Sequence, residues 1–497
     1  LYAAQADVVL KSIERDGRCF SREDYVRRKY GESGPIFLTV YRWFVEEAAK
    51  LVPKPEGAEF PYWSFMNLYS LDQSVGTRTL TLCVPRDEAV FFDMYDWNKL
   101  LCLKYLGEDE ADELAFQAYL KQIRELAEGP LEEIQKEVEV TNKFPQEFYD
   151  LAIQNDLYRC SLPEEYGGYG LNELEILQVQ EEFSRGPGGM RMHLHYAMDL
   201  NWRILDDYGS EEVKAEYMPK FQNKEVFTCF ALTEAKGGTG ADLHTIAVKD
   251  GDSYVLNGEK TLISHTDCCE FAYVIAVTNP ESDKNDRLSA FFVPMDAPGF
   301  EVINMPHMMG CRGAGHGELK FTDCRIDKKY LLGKEGQGLE IAMHSLSVSR
   351  AHIAASNLGM AQRMLEMSLK YAADRVTVGK PIGTRQAIRC KSADMSMMVH
   401  ALRCMVYDFA KSYMENPTGE YIEEKAAMCK LYSIDTTRRV SDEMLEIFGG
   451  VGYFEDCKYG PVERLYRDCR AMWLEEGAPT VQRITISKNT IKHGAHI

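Results

Sequence analysis

Two adjacent carboxylates near the end of the chain have the setting of a catalytic base. Glu475-Glu476 is followed at once by Gly477-Ala478-Pro479, and helical periodicity predicts helices before this break, over residues 463–473, and after it, over residues 480–491. A carboxylate at such a break can project into a cavity without being masked by its own helix, as a general base requires. Taken alone, the pattern is more typical of an exposed turn, so its meaning depends on the rest of the chain.

A glycine-rich loop points to a second kind of chemistry, anion binding. Thr233-Glu234 and Gly237-Gly238-Thr239 follow a predicted strand over residues 227–232. Consecutive small residues let backbone N–H groups approach an anion, and threonine hydroxyls add donors, which suits a phosphate or a flavin pyrophosphate. Glycine-rich hairpin loops are common, so this motif carries weight only together with others.

Basic residues further along the chain could bind the same anion. Arg375 and Lys380 flank a polar turn after a long predicted helix, near enough to each other to hold one phosphate. Arg350 falls in the middle of that helix, where a charge needs a partner, and a salt bridge is the simpler explanation. Gly449-Gly450 either ends a helix or lays bare backbone against a ligand.

The composition places these motifs in a large acidic protein. The chain has 497 residues, 45% of them hydrophobic and 27% charged, which is typical of a globular protein with two to four domains. Its net charge of −20 disfavours nucleic-acid binding but does not exclude an anionic cofactor in a local basic pocket. The 14 cysteines show no CxxC spacing, and neither a leader pattern nor an apolar run long enough to span a membrane occurs. These features predict a reduced, cytoplasmic protein without a membrane span.

The hydrophobic patterns predict a mainly α-helical fold with a central β-domain and an N-terminal α/β appendage. The predicted domains are the appendage over residues 1–115, a helical domain over 116–225, a barrel or sandwich over 226–335, and a helical bundle over 336–497. Asn257-Gly258 is predicted to be a turn between strands. The main predicted elements are helices at residues 6–15, 37–51, 340–374, 386–414 and 420–448, and strands at 77–84, 227–232, 245–249, 254–256, 272–277, 288–293, 301–305 and 318–321.

Six stretches, in this order along the chain, resemble the acyl-CoA dehydrogenase family of flavoproteins. The resemblance covers about residues 123–497, and it implies a helical, β, helical fold in agreement with the patterns above. Residues 1–115 lie outside it and look faintly like uncharacterised small bacterial domains, with no implied function. The stretches are LPEEYGGYG from Leu162, ALTEAKGGT from Ala231, NGEKTLIS from Asn257, MGCRG from Met309, DRVTVG from Asp374, and GGVG from Gly449 leading to Arg467-Asp468 and Glu476-Gly477.

The resemblance implies FAD as the cofactor and a homodimer or homotetramer. The flavin and its pyrophosphate would lie against the glycine-rich loop and the strand end near Ser264. A second set of residues would hold the FAD of a neighbouring subunit, and two positions after the base would add contacts. The residues that match these roles are Phe230, Leu232, Thr233, Gly238, Thr239, Leu262 and Ser264 in the first set, Arg375, Val378, Gln386, Glu446, Gly449 and Gly450 in the second, and Ala478 and Thr480 after the base.

The implied reaction is α,β-dehydrogenation of an acyl-CoA to a 2-enoyl-CoA, with electrons passed to electron-transfer flavoprotein. Glu476 matches the family's base and would take the α-proton, while flavin N5 would take the β-hydride. Some members place the base at the position of Ser349, which cannot serve. Because the acyl chain would desolvate Glu476, its pKa should be raised. The positions that match substrate contacts are Thr239, Ser347, Arg350 and Gly477.

Some positions depart from the family pattern, and other functions compete with the first. Gly240 stands in place of the usual Asp, Leu262 in place of an aromatic residue and Val378 in place of Phe, which bears on flavin binding. The same site could run backwards as an enoyl-CoA reductase. A flavin monooxygenase on this fold would dispense with Glu476, and a DNA-protective relative conflicts with the net charge of −20.

The predicted roof of the acyl pocket is unusually polar. We interpret this either as a site for a short polar, aromatic or charged acyl group or as a solvated helix face. The His193-x-His195 spacing is compatible with a metal, but no third ligand of matching pattern lies nearby, so no metal site is predicted. The polar residues are Arg191, His193, His195, Tyr196, Asn201 and Trp202.

Overall fold

The chain forms two compact units, Leu1–Glu113 and Leu114–Ile497, in the computed structural model. Among the described residues, no helix has the length and apolar character needed to cross a membrane. The residues that the structure describes are 2–16, 23, 26–27, 41–42, 45, 77–81, 110–236, 238, 242–283, 286–419, 421–455 and 457–494.

The first unit contains a small α/β element. Strand β1 (Tyr2–Ala6) pairs antiparallel with β2 (Thr77–Thr81), and helix α1 (Asp7–Asp16) follows β1 directly. The helix predicted at residues 6–15 is present one residue later, and the strand predicted at residues 77–84 is present over its described residues, 77–81. Most of the helix predicted over residues 37–51 lies outside the described residues.

The second unit begins with a helical domain whose boundaries follow local sequence signals. Pro130 occupies the first turn of its helix after the break at Gly129, and Asn172 forms a capping box with Glu175. One helix, α6, is buried over its whole length, including its charged and polar side chains. The helices are α2 (Glu110–Glu128), α3 (Pro130–Thr141), α4 (Gln146–Gln154), α5 (Glu173–Phe183), α6 (Gly188–Met198), α7 (Leu200–Tyr208) and α8 (Glu211–Tyr217).

An eight-stranded sheet forms the middle of this unit. The strand order is β10-β7-β6-β4-β5-β9-β8, and β3 pairs in parallel with β6. The central strands β6 and β7 are almost entirely buried, whereas β9 alternates between buried and exposed residues. The strands are β3 (Thr228–Ala231), β4 (Ile246–Asp250), β5 (Ser253–Ser264), β6 (Phe271–Val277), β7 (Leu288–Pro294), β8 (Phe300–Asn304), β9 (His316–Asp327) and β10 (Leu331–Leu332).

Asn257-Gly258 is not a turn, so that prediction is wrong. Strand β5 runs through both residues, and its pairing with β9 shifts register between Leu256 and Gly258. Gly258 has a φ of 149°, which places the irregularity at the residue that tolerates it. The side chain of Asn257 donates to Asp323 on β9 and accepts from its backbone N–H, so the strand continues across the bulge.

A bundle of long helices completes the second unit, and the whole confirms a mainly helical fold with a central sheet. Helix α9 is largely buried and packs against both α10 and α11. The helix predicted over residues 463–473 ends early, at Asp468, because the backbone tightens to bonds three residues apart at Arg470 and Trp473. The helices are α9 (Gly338–Asp374), α10 (Gln386–Glu415), α11 (Ile422–Phe448), α12 (Val462–Asp468) and α13 (Pro479–His493), with a short hairpin of β11 (Val376–Thr377) and β12 (Lys380–Pro381) after α9.

Candidate active site

The carboxylate at the predicted break sits on a left-handed turn. Glu476 has a φ of 51° and Gly477 a φ of 103°, and α13 begins two residues later. Glycine adopts this region freely, but for Glu476 it carries a conformational cost, which a non-glycine residue bears only when its surroundings fix it. The side-chain amide of Gln482, from the first turn of α13, supplies that restraint. It donates to the carbonyl oxygens of Glu476 at 3.2 Å and Gly477 at 3.0 Å.

The Glu476 side chain is 13% exposed, and one of its carboxylate oxygens is hydrogen-bonded whereas the other is not. The hydroxyl of Ser349, on α9, donates to Oε1 at 2.5 Å. Nε2 of His195, on α6, lies 3.5 Å from the same oxygen and 3.2 Å from the Ser349 hydroxyl. Oε2 has no hydrogen-bond partner among the described residues. Burial raises the pKa of Glu476 to about 7, against the lowering effect of the Ser349 hydrogen bond.

The histidine beside this carboxylate is neutral. Burial lowers the pKa of His195 to about 3, so the ring carries a single proton at neutral pH. The Ser349 hydroxyl uses its proton on Glu476, so the hydrogen-bond network assigns the His195 proton to Nε2, which faces both oxygens. His195 therefore adds a donor to the group of atoms around Oε1, and its Nδ1 is buried without a partner among the described residues.

The two adjacent carboxylates have opposite properties. Glu475 forms an ion pair with Arg191, with nitrogen–oxygen distances of 3.2 and 3.3 Å, and the arginine side chain is fully buried. Burial would raise the pKa of Glu475, but the Arg191 guanidinium outweighs it and lowers the pKa below its ordinary value. Glu475 is therefore ionised and paired with Arg191, whereas Glu476 has an oxygen without a partner among the described residues and a pKa suited to accepting a proton.

Two buried cations face this pair of carboxylates. Lys430, on α11, is fully buried and donates to the carbonyl of Met472; burial lowers its pKa to about 8, against the raising effect of Glu475 and Glu476. Arg350 is 5% exposed and meets only Glu423, at 3.9 Å, while its Nε and Nη1 have no hydrogen-bond partner among the described residues. The salt-bridge explanation of Arg350 thus accounts for little of its hydrogen-bonding capacity.

The glycine-rich loop and the end of β5 lie side by side. The backbone N–H of Thr261 donates to the carbonyl of Thr233 at 2.9 Å. Lys260 is 1% exposed and its ammonium binds the Leu232 carbonyl at 3.1 Å and the Glu234 carboxylate at 2.8 Å. Burial lowers the pKa of Lys260 to about 8, and Lys260 overcomes the effect of burial to lower the pKa of Glu234 to about 2. This buried ion pair and the backbone hydrogen bond hold Leu232 and Thr233 against the end of β5.

Four of the six residues in the second group of predicted cofactor residues line two cavities that share Gly450, whereas Val378 and Gln386 line neither. One cavity has a volume of about 660 Å³ and includes Arg375, and the other has a volume of about 500 Å³ and includes Glu446 and Gly449. A Cβ added at Gly449 or Gly450 would meet nothing within 4 Å, so bare backbone faces open space here. Further lining residues are Tyr371, Thr377, Ile382, Phe448 and Phe454 in the first cavity, and Asp442, Leu445 and Tyr453 in the second.

The remaining predicted site residues are placed as follows. Leu262 and Val378 are apolar yet 59% and 93% exposed, and both have positive φ angles. Glu446 pairs with Lys391 at 2.5 Å, and Ser264 bonds the His316 ring at 3.0 Å. Thr239 lies outside the described residues. Phe230, Thr233, Ser264, Ala478 and Gly477 are half-buried, Leu232 and Ser347 are buried, and Gly238, Arg375, Gln386, Glu446, Gly449, Gly450 and Thr480 are exposed.

The polar residues of the first helical domain do not form a polar pocket wall or a solvated face. All six are buried, and five of them satisfy partners inside the protein. Only His195 reaches Glu476. The sequence could not separate these cases because every partner is distant along the chain. The internal pairs are Arg191 with Glu475, His193 with the Tyr158 hydroxyl, Tyr196 with the Thr228 hydroxyl, Asn201 with the Thr228 backbone N–H, and Trp202 with the Ser161 hydroxyl.

Three consecutive family matches cover the second unit. Residues 115–225 match the acyl-CoA dehydrogenase N-terminal domain, residues 229–324 the middle domain and residues 336–491 the C-terminal domain. An acyl-CoA dehydrogenase of Bacillus subtilis (strain 168) is 33% identical over 74% of this chain and 96% of its own length. The chain belongs to the acyl-CoA dehydrogenase family. It is an oxidoreductase that acts on the CH–CH bond of acyl-CoA thioesters, and the family is FAD-dependent.

Other relatives extend the comparison in both reaction directions. The CarC subunit of the caffeyl-CoA reductase-Etf complex of Acetobacterium woodii is 33% identical over 76% of this chain and 99% of its own length. The structure of butyryl-CoA dehydrogenase from Megasphaera elsdenii is similar with a TM-score of 0.71 and 29% identity, and the match covers 76% of this chain and 98% of that one. Residues 1–146 match a domain of unknown function, DUF3841.

Proposed function

We propose that this chain oxidises an acyl-CoA to its 2-enoyl-CoA and that Glu476 is the residue that removes the α-proton. One observation carries the assignment: the Glu476 carboxylate has one buried oxygen, Oε2, without a hydrogen-bond partner among the described residues, and its pKa is raised to about 7 by burial. An α-proton of a thioester is very weakly acidic, so a base with a raised pKa lies closer to the proton it must take. Ser349 and His195 hold Oε1, which leaves Oε2 for the substrate.

The chain also offers groups that can stabilise the charge formed in proton removal. Among the described residues the backbone N–H of Glu476 donates to no acceptor, so it can bind the thioester oxygen as negative charge develops there. Both the N–H and the carboxylate belong to Glu476, so the left-handed turn at this residue orients the two groups together. Arg350 brings a buried positive charge with unpaired donors to the same region, which supports its predicted role in substrate binding.

The residues present fit FAD. Bare glycine backbone lines two cavities, and Arg375 lines one of them, which suits a nucleotide and its phosphates. The Arg375 side chain has no hydrogen bond or ion pair among the described residues, so its guanidinium can bind a phosphate. Exposed Leu262 and Val378 have apolar surface that internal packing does not cover. FAD, when bound, supplies the two-electron acceptor for the β-hydride. Residues 232–234, Leu262 and Ser264 would hold it, and Arg375, Gln386, Glu446 and Gly449-Gly450 would hold the FAD of a second subunit in a homodimer or homotetramer.

The physiological direction and the electron partner follow from the relatives by analogy. The similarity to a caffeyl-CoA reductase-Etf subunit favours electron-transfer flavoprotein as the partner, and it supports enoyl-CoA reduction as the second candidate function. The same base serves both directions, because the reverse reaction returns the α-proton from the same carboxyl oxygen. Comparing oxidation of saturated CoA thioesters with reduction of 2-enoyl-CoA and aryl-acryloyl-CoA thioesters tests the two directions.

The decisive test is anaerobic bleaching of the bound flavin by a panel of acyl-CoA thioesters. The wild-type enzyme is expected to bleach with its substrate, and Glu476→Gln to bleach roughly 10²- to 10⁴-fold more slowly at unchanged FAD content. Glu475→Gln is the matched comparison: it breaks the ion pair with Arg191 and lowers thermal stability, but it keeps the base. Rapid bleaching by Glu476→Gln would eliminate this residue as the base.

A further inference from the structure

Two histidines and a cysteine, one of them on helix α6, place nitrogen and sulfur atoms close together inside the protein. His193 comes from α6, and His265 and Cys268 come from the turn that follows β5. One ligand atom from each residue lies within 4.8 Å of the other two, and Nδ1 of His193 is 3.9 Å from Sγ of Cys268. In a tetrahedral zinc site, nitrogen and sulfur ligands lie about 3.5 Å apart, given typical bond lengths of about 2.0 and 2.3 Å. We propose that His193, His265 and Cys268 bind one zinc-type divalent transition-metal ion.

The histidine on α6 is already oriented as a metal ligand. The hydroxyl of Tyr158 bonds Nε2 of His193 at 2.8 Å, and the imidazole stacks on Phe227 with ring centroids 4.2 Å apart and planes 9° apart. A partner on one ring nitrogen, which fixes the ring and leaves the other nitrogen for the metal, is the usual arrangement around metal-binding histidines. Nδ1 of His193 therefore faces the Cys268 thiol.

The second histidine has an unexplained buried nitrogen. His265 is 2% exposed, and its Nδ1 has no hydrogen-bond partner among the described residues. A buried polar atom without a partner has lost its hydrogen bonds with water and gained none in return, so such an atom calls for an explanation. His265 also has a left-handed backbone, with a φ of 68°, and its N–H is fixed by the Gly315 carbonyl at 2.7 Å. The backbone is thus held in an unfavourable conformation that directs the ring into the cluster.

The chemistry of the three ligands suits a soft divalent cation. A metal binds the neutral imidazole and the deprotonated thiol, so zinc uptake would release the Cys268 proton. Lys224 bonds the Cys268 carbonyl at 3.1 Å and places a positive charge beside this thiol. Two imidazoles and a thiolate favour zinc over magnesium or calcium.

This site is separate from the catalytic one, although the two share a helix. His195 directs Nε2 towards Ser349 and Glu476, whereas His193, two residues earlier, directs its ring to the opposite side. The expectation of no metal rested on the lack of a third ligand near the His193-x-His195 pair. The structure supplies the ligands from residues 265 and 268 instead, and His195 is not one of them. A bound metal would join α6 to the turn after Leu262 and Ser264.

The test measures zinc stoichiometry of the purified full-length enzyme. Protein treated with a chelator and then incubated with one equivalent of Zn²⁺ is passed through a desalting column, and its zinc content is measured by mass spectrometry. We expect one zinc per chain in the wild type and none in Cys268→Ser or His265→Asn. Cys269→Ser is the matched control, because the neighbouring Cys269 thiol contacts Met295 Sδ at 3.0 Å and lies outside the cluster. It should keep one zinc.

A second control separates this site from the surface. Cys404 and His400 form an exposed pair on α10, with Sγ and Nε2 3.7 Å apart, that could take up zinc adventitiously. Cys404→Ser should leave the stoichiometry unchanged, and Zn²⁺ should raise the midpoint of thermal unfolding of the wild type, Cys269→Ser and Cys404→Ser but not of Cys268→Ser. Absence of zinc in the wild type, full retention by Cys268→Ser, or loss of zinc only in Cys404→Ser would each overturn the proposal.

Discussion

The hydroxyl of Ser349 donates to Oε1 of Glu476 at 2.5 Å, across 127 residues of sequence. This hydrogen bond favours the ionised carboxylate and opposes the effect of burial on its pKa. Hydrogen bonds to charged groups contribute about 1.5–3 kcal/mol, and one pKa unit corresponds to about 1.4 kcal/mol. The position that carries the base in some family members thus acts here on a carboxylate that lies on the turn before α13.

Ser349→Ala should raise the pKa of Glu476 above about 7. Because the base must be deprotonated, the activity lost at acid pH should extend to higher pH, by about one unit or more. The measurement is the pH dependence of kcat/KM. Ser345→Ala is the control, because Ser345 lies on the same helix and donates to the Ile341 carbonyl at 2.8 Å. An unshifted profile in Ser349→Ala would show that this hydroxyl does not tune the base.

Lys430→Met should also shift the pH dependence of kcat/KM, because it removes a nearby positive charge and not a hydrogen bond. The buried ammonium lowers the pKa of Glu476, so its removal should raise that pKa and move the acid limb upwards. Since the pKa of Lys430 is itself lowered to about 8, the wild-type enzyme loses this charge above that pH, and the two profiles should converge there. Lys425→Met is the control, because Lys425 pairs with Asp408 at 2.7 Å. Profiles that stay apart above pH 8 would contradict the electrostatic explanation.

Gln482→Leu should disturb the position of the base without changing its pKa. The amide makes two hydrogen bonds to the left-handed turn, each contributing roughly 1 kcal/mol, which is comparable to the conformational cost at Glu476. We expect kcat to fall roughly tenfold while the acid limb stays in place, because misplacement of the base lowers the rate at every pH. Ser487→Ala, on the exposed side of α13, should be neutral. A shifted acid limb in Gln482→Leu would mean that the amide acts on the charge of Glu476.

The sequence predicted the position of the proposed base but not the contacts around it, for physical reasons. The Gly477–Pro479 break is a local signal, so the placement of Glu476 between two helices could be predicted from it. Ser349, His195 and Lys430 come from three different helices, and the sequence around each one does not indicate its contact with Glu476. The available signal was a charged or polar residue within an apolar helical pattern, as for Lys430 on α11.

The sheet also contains a feature that local sequence could not predict. Asn257-Gly258 has the composition of a hairpin turn, and it became a bulge because Asp323 on the neighbouring strand satisfies the asparagine side chain. Local propensity was overruled by a partner 66 residues away. The long helices were predictable because their apolar patterns extend over many turns, whereas the shortening of the helix before Glu476 depends on backbone bonds at Arg470 and Trp473.

Beside the catalytic group, the buried pair His352 and Glu173 should make stability depend on pH. Nε2 of His352 lies 3.1 Å from Oε1 of Glu173, and both side chains are buried. Burial alone would lower the pKa of His352, but Asp199 and Glu173 raise it above its ordinary value. A group whose pKa is raised on folding stabilises the folded state fully below its unfolded pKa, here about 6.5, and this stabilisation is lost as the pH rises through the folded-state value.

His352→Gln keeps a donor for Glu173 but cannot take up a proton, so it isolates the contribution of the charge. The free energy of unfolding should fall most below about pH 6.5, and the difference from wild type should shrink as the pH rises above that value. Urea unfolding followed by circular dichroism, at several pH values and a fixed FAD concentration, measures this difference. His400→Gln, at an exposed position on α10, is the control for replacing an imidazole outside the buried pair. A wild-type advantage that grows with pH would show that His352 is neutral in the folded protein and that Arg203 alone keeps Glu173 ionised, through its contact at 3.4 Å.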